Sequence, residues 1–144
     1  MELLEFRQLY TAPQCSSGKE LKRNMAISSA PAQDWSWPSS LDALIAAPKY
    51  HTLLYENDAV RVLDVRIPPR HIVPLHTHCW PSVTYLVRWA NFIRRDDHGN
   101  TLLDTRRHDP QQVGSATWAE PYPPHTVENV DTVELQAIVM ELKR

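Results

Sequence analysis

The stretch HIVPLHTHCWPSVTYLV, residues 71–87, decides how the rest of the chain is read. It holds three of the seven histidines, and two of them, His76 and His78, stand at i and i+2. Successive side chains of a β-strand point to opposite faces, so on a strand these two imidazoles share one face. The flanking sequence favours strands. VRVLDVRIPP (60–69) sets Val60, Val62, Asp64 and Arg66 against Arg61, Leu63, Val65 and Ile67, with one face more apolar than the other. That alternation fits a half-buried strand. YHTLLYEN (50–57) is another, closed by the turn ENDA.

Downstream the same rhythm continues. SVTYLVRW and ANFIRRDD read as strands, and DDHGN (96–100) is a hairpin turn in which Asp, Asn and Gly supply the left-handed conformations. TLLDTRRHD, SATWAE, HTVENV and VELQAIVMELK complete eight or nine short strands spaced by turns. Such spacing indicates a sandwich or barrel and not β-α units. Twelve prolines against three glycines point the same way, toward short strands with rigid turns. SLDALIAAP (40–48) reads as one short helix, capped by Ser40 and ended by Pro48. Residues 1–40 are polar, small and proline-punctuated. They read as an N-terminal extension, partly ordered or docked through Trp35 and Trp37, with Met25 an alternative start. Residues 41–144 then form one domain with the short helix leading.

Composition narrows the function classes. The 144 residues are 42% hydrophobic and 22% charged, with a net charge of -2. Basic residues are scattered, so no nucleic-acid partner is expected. No apolar run approaches a membrane span, and the first residues do not read as a secretory signal, so a cytoplasmic protein is expected. Cys15 and Cys79, the only cysteines, make no disulfide framework.

A third histidine, His125, lies in PYPPHTVEN; Gly114 precedes it by eleven residues and Asn129 follows it by four. This pattern resembles the second motif of the cupin superfamily, and His76-x-His78 resembles the opening of the first. The resemblance covers residues 50–142 and implies an all-β fold: a double-stranded β-helix, the cupin jelly-roll barrel, with an N-terminal arm and short helix. The pattern departs in several places: the first motif's leading glycine falls at Arg70, and the second motif's proline and second glycine fall at Glu120 and Tyr122. The first motif's glutamate falls at Ser82 or Val83, and its closing glycine falls at Trp89 or Ala90.

The resemblance implies a divalent metal on His76, His78 and His125, with Fe(II) first and Zn, Ni or Mn as alternatives. A set of three neutral imidazoles leaves a divalent ion its full charge and favours anionic bidentate ligands. Three-histidine cupins include the diketone-cleaving and thiol dioxygenases, so the chain is expected to be a non-haem Fe(II) dioxygenase acting on a small anionic chelating substrate. The alternatives are a non-catalytic binding or sensing cupin and a cofactor-free isomerase. Trp80, Ser82, Tyr85, Val87 and Asn129 are the expected pocket-lining residues, Asn129 also as a strand support. Cys79, of opposite parity to His78, reads as a small buried hydrophobe. Arg94 and Tyr85 are candidates for holding a substrate carboxylate, although the arginine pairs 94–95 and 106–107 also read as a solvated hairpin with cross-strand charge contacts. His51, His71, His98 and His108 read as structural or solvated, and Glu128 as surface. A homodimer formed through edge strands is the expected assembly.

Overall fold

The structure, a computed structural model, describes residues 35–143. Cys15, Met25 and most of the N-terminal extension lie outside the described residues. Ser39–Leu41 make a 3-10 turn, followed by the one-turn helix α1, Ala43–Ala46. Its cap is Asp42, which accepts a hydrogen bond from the Leu44 backbone N–H, and not Ser40. Ser40 is taken up by the preceding 3-10 turn, which leaves the carboxylate of Asp42 nearest the free amides of α1.

Nine strands follow: β1 His51–Glu56, β2 Val60–Ile67, β3 Ile72–His78, β4 Ser82–Arg88, β5 Phe92–Asp96, β6 Thr101–Asp104, β7 Ala116–Ala119, β8 Tyr122–Asn129 and β9 Leu135–Leu142. They form two antiparallel sheets. One has the order β1-β2-β9-β4-β7 and the other β3-β8-β5-β6. Successive strands often lie in different sheets, which is the winding of a jelly roll. The turns behave as their residues dictate. Asn57 Oδ1 accepts from the backbone amides of Ala59 and Val60. Asp96 Oδ1 accepts from His98 and Asn100, with Gly99 at φ +84°.

The second face of β2 is the inner one. Leu63 is fully buried, and Val65 and Ile67 face inward beside it. Ala47, Ile67, Val73 and Val127 form a small core, with Tyr50, Phe92 and Leu135 packed against it. Leu63→Ala is expected to cost about 3–5 kcal/mol, because the stiff strands around it cannot collapse into the void. Urea unfolding checks this.

The β3–β8 pairing is irregular in two places, both at proline, and register also shifts in the β1–β2, β4–β9 and β5–β6 pairings. Val73 and His76 both face inward although an even number of residues lies between them, and the β3–β8 register shifts across this interval. Tyr122 and His125 repeat the irregularity across Pro123 and Pro124. Proline has no N–H for the ladder, so an extra residue is accommodated there at little cost. These two bulges turn the histidines into the barrel.

Outside, the five-stranded sheet is also apolar. Tyr55, Val62, Met140, Val83 and Trp118 follow one another across all five strands in register.

Candidate metal centre

Four histidines meet inside the barrel. His76 and His125 are register partners on β3 and β8, with ring centroids 4.3 Å apart. His78, two residues along β3, has its ring 5.2 Å from that of His76. The fourth is His51, first residue of β1, at 4.9 Å from His76 and 5.4 Å from His78. All four are buried. A nitrogen from each of His51, His76 and His78 lies within 4.8 Å of the others. The tightest donor trio therefore includes His51, which the sequence reading took as structural or solvated. His125 packs directly against this trio.

Each ring is oriented by an acceptor that fixes its tautomer. His76 Nδ1 meets the Pro74 carbonyl at 2.7 Å, and His125 Nδ1 meets the Pro123 carbonyl at 2.8 Å. His51 Nδ1 meets the Ala47 carbonyl at 3.0 Å, just past α1. His78 Nδ1 meets Glu141 Oε1 at 2.7 Å. Carbonyls and carboxylates only accept, so all four Nδ1 atoms carry the proton. Every Nε2 is left with a bare lone pair, which is the state a metal ligand requires. Two of the four follow a local rule: Pro74-Leu75-His76 and Pro123-Pro124-His125 each place a proline carbonyl two residues before the ring it orients.

The electrostatics agree with neutral imidazoles. Burial, then the neighbouring charges of His125 and His78, lowers His76 from 6.5 to about 2. Burial and His78 lower His51 to about 4. Burial lowers His125 to about 3, against the opposing effect of the Pro123 carbonyl. The donor set thus fits a divalent ion of borderline softness: several neutral nitrogens, pre-oriented and already desolvated.

The carboxylate missing from the first histidine motif has a counterpart elsewhere in the chain. Glu141 on β9 is completely buried and stands opposite Ser82 on β4. It accepts from His78 Nδ1 and, through its other oxygen, from Arg61 Nε. Burial alone would raise the Glu141 carboxyl, but the bonds from His78 and Arg61 hold it below the usual carboxylate range. Arg61 reaches on to both oxygens of Asp42, at 3.1 and 2.8 Å. Asp42, Arg61, Glu141 and His78 form one chain from the cap of α1 to the histidine cluster. Glu141 supports a ligand from behind and adds no carboxylate to the cavity wall.

The histidines line one region of a cavity of about 200 Å³. This is below the usual 300–1,000 Å³ of drug-sized pockets, so a small ligand is indicated. Of the expected lining residues, Ser82 faces the cavity. Tyr85 and Val87 do not. Ser82 sets the alternation of β4, so Thr84 and Leu86 point in with it while Tyr85 points out, 46% exposed. Apolar character could not separate the two faces, because both are apolar. Trp80 lies outside as well. It sits in the β3–β4 turn, where alternation lapses, with Arg61 stacked at 4.8 Å and Lys143 at 5.4 Å from its ring. Asn129 is fully buried but is a brace. Its Nδ2 donates to the Ile67 and Val133 carbonyls, and its Oδ1 accepts from the Asp131 amide.

Among the other residues singled out, Cys79 is half-buried, and burial pushes its thiol up. His71 Nδ1 meets the Tyr50 hydroxyl away from the cavity. Glu128 pairs with Arg95 between β8 and β5, and Arg106 with Asp104 two residues before it, so neither contact crosses the β5–β6 hairpin as expected. Arg94 is the exception: it turns inward and lines the cavity.

No family model and no curated protein sequence matches the chain. Solved structures do resemble it. A cupin domain from Bordetella pertussis Tohama I superposes with a TM-score of 0.54 at 20% identity, over 65% of this chain and 92% of that one. An RmlC-like cupin family protein with a double-stranded β-helix fold from Methanocaldococcus jannaschii gives 0.47 at 10% identity, over 64% and 77%. The polyketide cyclase RemF of Streptomyces resistomycificus gives 0.45 at 17%, over 65% and 64%. At these identities the likeness concerns the fold alone. No helix of the described residues is long and apolar enough to cross a membrane. Strand topology and the Bordetella likeness together make this chain a cupin-fold double-stranded β-helix, closed around a cluster of four histidines.

Proposed function

We propose that the protein is a metal-dependent cupin enzyme, a non-haem Fe(II) dioxygenase acting on a small anionic chelating substrate. The observation carrying this reading is that four buried imidazoles present bare Nε2 atoms to one cavity, each fixed through Nδ1. His51, His76, His78 and His125 are the residues that would hold the ion. When bound, Fe(II) would supply Lewis acidity and redox chemistry toward O₂. The donor set is neutral, so an anionic ligand is favoured over a neutral one.

The protein's own contribution is orientation and exclusion of water. Pro74, Pro123, Ala47 and Glu141 hold the four rings so that little reorganisation accompanies binding. Much of the rest of the cavity lining is apolar, including Val65, Leu86, Phe92 and Val139. A substrate entering this space loses most of its hydration, which strengthens each polar contact it makes.

Elemental mass spectrometry on protein purified without an immobilised metal tests the reading. About one iron per chain is expected, with O₂ uptake in the presence of a β-diketone or a small thiol. His76→Gln, which nearly keeps the ring's volume, is expected to retain less than a tenth of the wild-type metal. Zinc without O₂ uptake would remove the oxygenase part. Full metal content in His76→Gln, or no metal after anaerobic Fe(II) addition, would overturn the site itself.

A further inference from the structure

The cavity contains two buried donors that nothing among the described residues satisfies. Among the described residues, Arg94 Nε and Trp89 Nε1 are the buried side-chain polar atoms without a hydrogen-bond partner. Both residues line the same cavity as the histidines. Buried donors seldom remain unpaired, so each of these calls for a partner such as an ordered water, an ion or a ligand.

Arg94 differs from the other arginines around it. Arg61, Arg66, Arg88, Arg95, Arg106 and Arg107 each reach a carboxylate. Among the described residues Arg94 reaches none. Its guanidinium lies 4.2 Å from the ring centroid of Tyr122 and 5.7 Å from that of Phe92. Stacking on aromatic faces fixes the plane of the guanidinium and leaves its N–H edge available. Trp89 packs on the same Phe92, with ring centroids 6.0 Å apart, so one phenyl ring lies against both donors.

The charge of the cavity points to the same kind of ligand. Among the described residues no aspartate or glutamate lines it, while one guanidinium does. The nearest buried carboxylate, Glu141, is already bonded to Arg61 and His78. An unpaired cation in a partly dry pocket calls for an anion, and bonds from an ionised donor to a carboxylate are the strong ones. Much of the remaining lining is apolar, including Ile67, Leu86, Phe92 and Leu135.

We propose that Arg94 and Trp89 form a carboxylate-binding subsite, and that the ligand is a small carboxylic acid with an apolar body whose other end faces the histidines. The assignment rests on the reading of this cavity as a substrate site and names the end of the substrate that is not at the metal. Arg94 supplies charge and an Nε–H, and Trp89 supplies a second N–H. Phe92, near both, serves as a platform for the carbon skeleton.

Calorimetric titration of the full chain tests this, with benzoate and its neutral isostere benzamide as probes and with the protein both metal-stripped and metal-loaded. Metal-stripped wild type is expected to bind benzoate at least tenfold more tightly than benzamide. Arg94→Met is expected to abolish that preference while leaving benzamide affinity within about twofold. Trp89→Phe should weaken benzoate about three- to tenfold. Arg94→Lys, which keeps the charge but lacks the Nε–H, should retain the preference at lower affinity; it stands in if the methionine variant fails to fold. Equal affinity of wild type for the two probes, no detectable benzoate binding, or a persistent preference in Arg94→Met would overturn the subsite. A stripped protein that prefers benzoate but never takes up metal would sink the metal reading and leave this one standing.

Discussion

Replacing Glu141 by glutamine is expected to lower the unfolding free energy by about 3 kcal/mol and metal affinity by about 10- to 100-fold. The carboxylate accepts from two donors with two oxygens, Arg61 on one side and His78 on the other. Glutamine offers one oxygen and one NH₂. If the oxygen serves Arg61, the NH₂ faces His78 Nδ1, which must then give up its proton to accept. The proton moves to Nε2, and His78 ceases to be a ligand. If the oxygen serves His78, a buried guanidinium faces an amide donor and keeps only Asp42 as its counter-charge. Glu141 is fully buried and Arg61 nearly so, so water can rescue neither arrangement. For a barrel of this size the loss corresponds to a fall in Tm of about 10 °C or more. Urea unfolding measures the first effect and a competitive metal titration the second. A variant that binds metal as the wild type does would show that Glu141 does not set the tautomer of His78.

Acid is expected to unfold the metal-free protein chiefly through protons taken up by its buried histidines. His51, His76 and His125 have folded values of about 4, 2 and 3, all below the ordinary 6.5. Below pH 6.5 the unfolded chain therefore binds protons that the folded chain refuses. Their contribution to stability is whole above 6.5 and is lost as the pH falls toward the folded values. Three such groups give a limiting slope of roughly 4 kcal/mol per pH unit. Against a total of about 5–15 kcal/mol, this puts the unfolding midpoint near pH 4–5. A bound divalent ion competes with protons for the same rings and stabilises the folded state, so the loaded protein should unfold at lower pH. Circular dichroism against pH, with and without metal, reads both midpoints. Coincident curves would count against these histidines as ligands.

The sequence carried the strand count, the turns and three of the four histidines, because each has a local signal. Period-two alternation, Asx turns and an H-x-H pair are all read within a few residues. His51 had no such signal. It opens a strand whose remaining residues are exposed, and it joins the others only because β1 sits at the sheet edge above them. Glu141 was illegible for the same reason: its partners lie 63 and 80 residues away. The side of β4 was misjudged at Tyr85 and Val87 because the outer face of that sheet is apolar too. One available signal went unused. The repeated Pro-x-His spacing at 74–76 and 123–125 marks the two rings that proline carbonyls orient.

The short segment ahead of the barrel touches the site twice. Its Ala47 carbonyl orients His51, and its Asp42 anchors the chain that ends at His78. Two rings on different strands are thus held by six consecutive residues, and Thr77, between the two cavity histidines of β3, donates back to Leu41. By thermodynamic reciprocity, whatever tightens this segment's seat on the barrel raises affinity for the metal, and metal binding tightens the seat by the same factor. Residues 39–47 therefore form a handle through which a shift of this segment would reach a metal held by the histidines.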